Sequence, residues 1–193
     1  MSAPKKAVIA ALVVAAALAA WFAVGRTSVV DRDAEIACGL VAGTSGSANR
    51  ILAGMEFASA AAATDPEHRP LAEAFVRLAK AVTGSSAPDA PAIDEALAAV
   101  TGHCGAARPL DSLAGTACES LHRSPSWRTD NGDAPRRIGA ERLADAAAEA
   151  DARYGALAEA MGAVNLESYP DGWRKPVVVE LDQRVRSLCA ATR

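Results

Sequence analysis

Aromatic side chains are nearly missing: three Trp, two Tyr and three Phe among 193 residues, although 51% of the chain is hydrophobic. A core with so few rings has to be built from Ala, Leu and Val. Small side chains let helices approach closely, but each buries little of the apolar area that stabilises a fold. Strand patterning is missing as well. Val177-Val178-Val179 is the only β-like run, and one run does not make a sheet. Nor is there a basic excess beyond the N-terminus: all 23 acids follow Arg26, while Lys5, Lys6 and Arg26 account for three of the 20 bases. That balance favours solubility and excludes nucleic acid as the expected partner, since nucleic acid selects a basic face.

Signatures of catalysis are absent too. There is no GxSxG, no HExxH, no CxxC and no phosphate-cradling glycine loop. Ser45, Ser47 and Ser124 have no recognisable base partner, and the acids from Glu141 to Glu159 read as a solvated helix face. Asp130-Asn131-Gly132-Asp133 has the composition of a calcium loop. Placing Gly132 sixth, however, puts Trp127 first and Ile138 last, where oxygen ligands are required. No cofactor or metal is expected, and a non-catalytic role is favoured over an enzymatic one.

What the chain does have is an uncharged apolar run, Ala7–Gly25, behind Lys5 and Lys6. As an α-helix these residues would rise about 28 Å, close to the hydrocarbon thickness of a bilayer. Trp21 and Phe22 stand near its far end, where aromatic rings favour the headgroup region. The alternative is a signal peptide cut after Ala17-Leu18-Ala19. The run exceeds the usual apolar length of about 7–15 residues for a signal. Such a cut would also leave an unanchored apolar end, AWFAVG. A buried soluble helix of this length would show one polar face. We therefore expect a cytoplasmic tail (1–6), a transmembrane anchor (7–25), a juxtamembrane linker (26–33) and an extracytoplasmic helical domain (34–193). Secretion after cleavage is the alternative.

The remainder reads as an all-α bundle of about six helices. Ser47 can cap a helix over 48–63 whose inward stripe is Ile51, Met55, Ala58 and Ala62. Pro70 opens the next helix, with Leu71, Ala74, Phe75, Leu78 and Val82 on one face. Ile93, Leu97, Val100 and Cys104 mark another, and Leu113, Ala117, Cys118 and Leu121 a shorter one. Ala140, Leu143, Ala147, Ala150, Tyr154, Leu157, Met161 and Val164 recur at steps of three and four. They predict one long helix with a coiled-coil-like seam, a candidate for self-association. A last helix starts near Pro176. No fixed-period repeat is visible, although segments 34–106 and 109–192 each carry a cysteine near both ends.

Cys38, Cys104, Cys118 and Cys189 are even in number and scattered, which outside the cytoplasm reads as two disulfides. Four cysteines allow three connectivities, and spacing alone does not choose among them. Cys38–Cys104 with Cys118–Cys189 is expected, because each pair closes one half of the chain. A metal site from His103-Cys104 and Cys118-x3-His122 is the weaker reading, since adjacent residues on a helix point about 100° apart.

Two loops carry a Trp-Arg dipeptide, Trp127-Arg128 and Trp173-Arg174, the second beside Tyr169 and Asp171. Trp and Arg are enriched at binding hot spots. These six residues are the candidate binding surface, for an envelope protein or glycan, unless the indoles simply plug an aromatic-poor core. The competing class is an envelope enzyme whose site is assembled from loops 123–136 and 165–175, with Asp130, Asp133, Tyr169 and Asp171 as its acids and phenol.

Overall fold

Proline, aspartate and serine punctuate the chain, and Ala-rich stretches between them coil into helices. The computed structural model describes residues 32–42, 47–84, 90–124, 133–168 and 175–192. Eight α-helices and no strand occur among them: α1 (32–41), α2 (Ala48–Thr64), α3 (Arg69–Thr83), α4 (Ala90–Cys104), α5 (Leu113–His122), α6 (Asp133–Ala150), α7 (Gly155–Ser168) and α8 (Pro176–Ala190). The all-α expectation stands, with eight helices rather than about six. Val177-Val178-Val179 is helical, in the first turn of α8. The apolar run Ala7–Gly25 lies outside the described residues. Among those described, no helix is long and apolar enough to cross a membrane.

Two differences from the sequence expectations have clear causes. The linker ends earlier than expected, because Arg32 and Asp33 already belong to α1, and Asp33 is fully buried. The predicted long helix over 137–164 is two helices, α6 and α7. Asp151 adopts an extended conformation (φ −152°, ψ 112°) and its carboxylate accepts from the Arg153 main-chain N–H at 3.0 Å. A short 3-10 turn, Ala152–Tyr154, then starts α7. The seam survives the break because α7 folds back on α6, so Ala140, Leu143, Ala147, Leu157, Met161 and Val164 all enter one intramolecular core. Ala150, at the break, is exposed.

On α2 the expected stripe is too narrow. Ile51 and Ala58 are buried, but the largest buried side chain there is Phe57, at 0% exposure. The helix is covered by α3 on one side and α6 on the other, so no single face contains its contacts. A glycine makes room for a buried aromatic ring at both interfaces: Gly54 lies under the ring of Phe75, and Gly139 under that of Phe57.

The described helices fall into two four-helix units of the same element order, α1–α4 and α5–α8. In the first unit Asp65, extended, accepts from the Glu67 N–H at 2.9 Å and leads through the 3-10 turn Pro66–His68 into α3. Asp151 does the same before α7. Leu71-Ala72-Glu73-Ala74 follows the first aspartate at the same interval as Leu157-Ala158-Glu159-Ala160 follows the second. Disulfide Cys38–Cys104 ties α1 to α4, and Cys118–Cys189 ties α5 to α8, with Cα–Cα distances of 5.3 and 5.6 Å. The units pack through antiparallel pairs. At one end of the α2–α6 pair, Ser47 and Asn49 bond Glu149 at 2.6 and 2.7 Å; further along, Gly139 meets Phe57. In the α1–α5 region, Arg32 reaches Glu119, while Gly39 lies against Leu110 in the connection between the units. Ser47 was expected to cap α2, and its hydroxyl serves the inter-unit bond instead.

Candidate functional site

Three features could carry function: a buried ionic cluster, an open groove beside it, and the end of the bundle from which the two Trp-Arg segments leave.

The cluster forms where α1, α5 and α6 meet. Arg136 donates from Nη2 and Nε to Asp33 Oδ2 at 2.7 and 2.9 Å, and Arg123 donates from Nη1 to Oδ1 at 2.8 Å. Asp133 accepts from Arg136 Nη1 at 2.6 Å, and the Ser124 hydroxyl faces the same nitrogen at 3.4 Å. Burial pulls the Arg136 guanidinium down, but bonds to Asp33 and Asp133 more than compensate and hold it above its ordinary value. At the rim, the hydrogen bond from Arg32 keeps the Glu119 carboxyl below the usual carboxylate range despite partial burial. Asp133, a candidate acid in the enzymatic reading, is thus committed to Arg136. Sequence reasoning missed this cluster. Its one visible sign was Asp33 directly preceding an apolar helix, and the partners lie 90 and 103 residues away.

The groove has a volume of about 990 Å³ and runs between the first turn of α1, the entry to α3, and the irregular connection from Ala106 to Ser112. Its walls include the Cys38–Cys104 disulfide, His68, His103, Glu67 and Asp111. A smaller depression of about 700 Å³ lies across α5 beside Cys118–Cys189, where Arg186 approaches His122 Nδ1 at 3.4 Å. All four cysteine sulfurs are in disulfides, so the metal reading loses its thiolates. Among the described residues, no group of three or more metal-ligating side chains converges.

The six candidate surface residues, Trp127, Arg128, Tyr169, Asp171, Trp173 and Arg174, lie outside the described residues, as do Asp130, Asn131 and Gly132. The residues bounding their segments are described. A continuous helix over 137–164 would have placed the two segments at its opposite ends, and the fold-back at Asp151 reverses that. Asn165 Nδ2 on α7 donates to the Arg137 carbonyl on α6 at 3.2 Å and to Glu141 at 2.8 Å. Lys175 pairs with Glu167 at 3.4 Å. Both segments are therefore rooted at the same end of the bundle.

Comparison with models of known protein families, with curated proteins and with solved structures yields no match to this chain.

Proposed function

We propose that this protein is a membrane-anchored binding or scaffolding component of the cell envelope, its helical domain outside the membrane and its N-terminus in the cytoplasm. The observation that carries this reading is the groove of about 990 Å³ at the first turn of α1. Arg32 on the groove wall follows Gly25, the end of the apolar run, by only seven positions. A chain of that length spans at most roughly 25 Å, so an anchor at 7–25 would hold the groove close to the bilayer. The two disulfides are consistent with an extracytoplasmic or secreted location. A braced bundle supporting a concave surface on packed elements is suited to recognition.

The test is photo-crosslinking in intact cells from benzoylphenylalanine at Arg108 on the groove, with membrane fractionation and intact mass of the tagged chain. A partner crosslinked from position 108 and a full-length, membrane-bound product are expected. A released product beginning near Ala20 overturns the anchor. Absence of any crosslinked partner, from position 108 or from position 173, overturns the binding reading.

The common rooting of segments 125–132 and 169–174 favours a second reading, in which loops 123–136 and 165–175 form the working surface, as a binding patch or an enzyme site. Crosslinks from position 173 with none from 108 would move the site there.

A further inference from the structure

We infer that the groove takes an extended, basic peptide segment of a partner protein. The inference rests on the binding reading above and adds what is bound. Seven consecutive residues, Ala106 to Ser112, line the groove. Among the described residues, the main-chain N–H and C=O groups of 106–111 form no hydrogen bond. Ser112, the next residue, is extended (φ −148°, ψ 121°) and caps α5 through its hydroxyl. A line of unpaired main-chain groups along a groove wall is what an incoming extended peptide uses, pairing its own N–H and C=O groups as an added strand does. Pro109 removes one donor and the Arg108 carbonyl lies against Gly39 of α1, so the pairing is interrupted at those two positions.

Charge selects the kind of peptide. Four carboxylates line the groove, Glu35, Glu67, Asp111 and Glu119, against the guanidiniums of Arg32 and Arg108. Arg32 is shared between Glu119 at 2.9 Å and Glu35 at 3.3 Å. Arg123 also reaches Glu119 at 3.7 Å, while Glu67, Asp111 and Arg108 form no ion pair among the described residues, so two carboxylates face one guanidinium and the groove keeps an excess of negative charge. Half-buried Leu110 and buried Leu71 line the same groove and give it apolar surface. Lys or Arg alternating with an aliphatic residue would meet both, because alternate side chains of an extended chain point to opposite faces.

The experiment uses the full chain in detergent micelles and three fluorescein-labelled octapeptides: alternating Lys and Val, the same with Glu for Lys, and the Lys-Val peptide with alternate main-chain nitrogens methylated. Anisotropy should show binding of the first, at least tenfold weaker binding of the other two, and weakening with salt. Hydrogen exchange should slow at 106–111 when the first peptide binds. Glu67→Gln with Asp111→Asn should weaken it about fivefold or more with unchanged helical circular dichroism. Equal affinity for Lys and Glu peptides, retention of the methylated one, or no effect of the double substitution overturns the assignment. Failure here leaves the crosslinking from position 108 standing, so the two readings fall separately.

Discussion

Arg136 on α6 closes on both carboxylate oxygens of Asp33, a residue 103 positions earlier that is fully buried in α1. With Arg123 on Oδ1 as well, Asp33 is held by two guanidiniums from the second unit while it belongs to the first. Asp33 is therefore clamped in the first turn of α1, between Arg32 and Ala34 of the groove wall.

Removing Asp33 leaves two guanidiniums buried with one carboxylate fewer. Breaking a buried pair from one side typically costs about 3–5 kcal/mol. Asp33→Ala should lose that much in urea unfolding. Arg136→Lys should also destabilise, because an ammonium does not fork across two oxygens. A loss below about 1 kcal/mol for Asp33→Ala would show that the cluster is hydrated rather than buried.

Small residues at the helix crossings should behave oppositely to those on the surface. A Cβ on Gly54 would come within 2.4 Å of the Phe75 ring, and one on Gly139 within 2.9 Å of Phe57. Gly54→Ala should therefore cost about 1–3 kcal/mol from overpacking, despite the better helix propensity of Ala. A Cβ on Gly102 of α4 would stand in open space, with nothing within 4 Å of it. Gly102→Ala should stabilise by up to about 1 kcal/mol. Thermal melts of the two variants, shifting in opposite directions, are the check.

Each disulfide closes a long loop, with sequence separations of 66 and 71. The chain-entropy model gives each roughly 4 kcal/mol at most. Against a typical stability of about 5–15 kcal/mol, reduction of both should unfold the domain or bring its melting point near ambient temperature. Peptide mapping without reductant should return the 38–104 and 118–189 pairs and no cross-pairs.

Burial pushes the Glu56 carboxyl up, with Arg142 only partly offsetting it. Burial does the same to Asp145, reinforced by Glu141 and Glu149. A carboxyl that holds its proton more tightly folded than unfolded costs stability at neutral pH, and that cost is relieved as pH falls through its folded-state value. Glu56→Gln should raise the melting point at pH 7 by no more than about 2–4 °C, corresponding to about 1 kcal/mol. The gain should vanish below about pH 4, where the wild-type group is protonated in both states. An equal gain at both pH values would assign the effect to packing.

Helix content, most helix boundaries and the disulfide pairing were legible in the residues. Pro70 and Pro176 open helices, and spacings of three and four mark faces that are buried in α3 and α5. These are local effects: a ring that fixes φ and a face that repeats every turn. The cysteine pairing could be chosen because each pair closes one half, and the halves are the two four-helix units.

Other features depended on contacts that local pattern does not encode. The periodicity across Asp151 is nearly continuous, so only the packing of α7 back onto α6 separates one long helix from a hairpin. The likeness of the two units was hidden because it lies mainly in an aspartate, a Leu-Ala-Glu-Ala stretch after it and the cysteine positions, while the packing residues differ in size, as Phe75 and Met161 show. Asp33 read as a solvated linker charge because its counterions come from the other half of the chain. The groove likewise exists only because the connection between the units crosses α1 at Gly39. The helices, their inward faces and the halves that the cysteines close thus follow from the residues alone, through short-range sterics and periodic burial. Which charges are buried together, and where a concave surface opens, was decided by tertiary packing, because both arise from residues that only folding brings within a few ångströms.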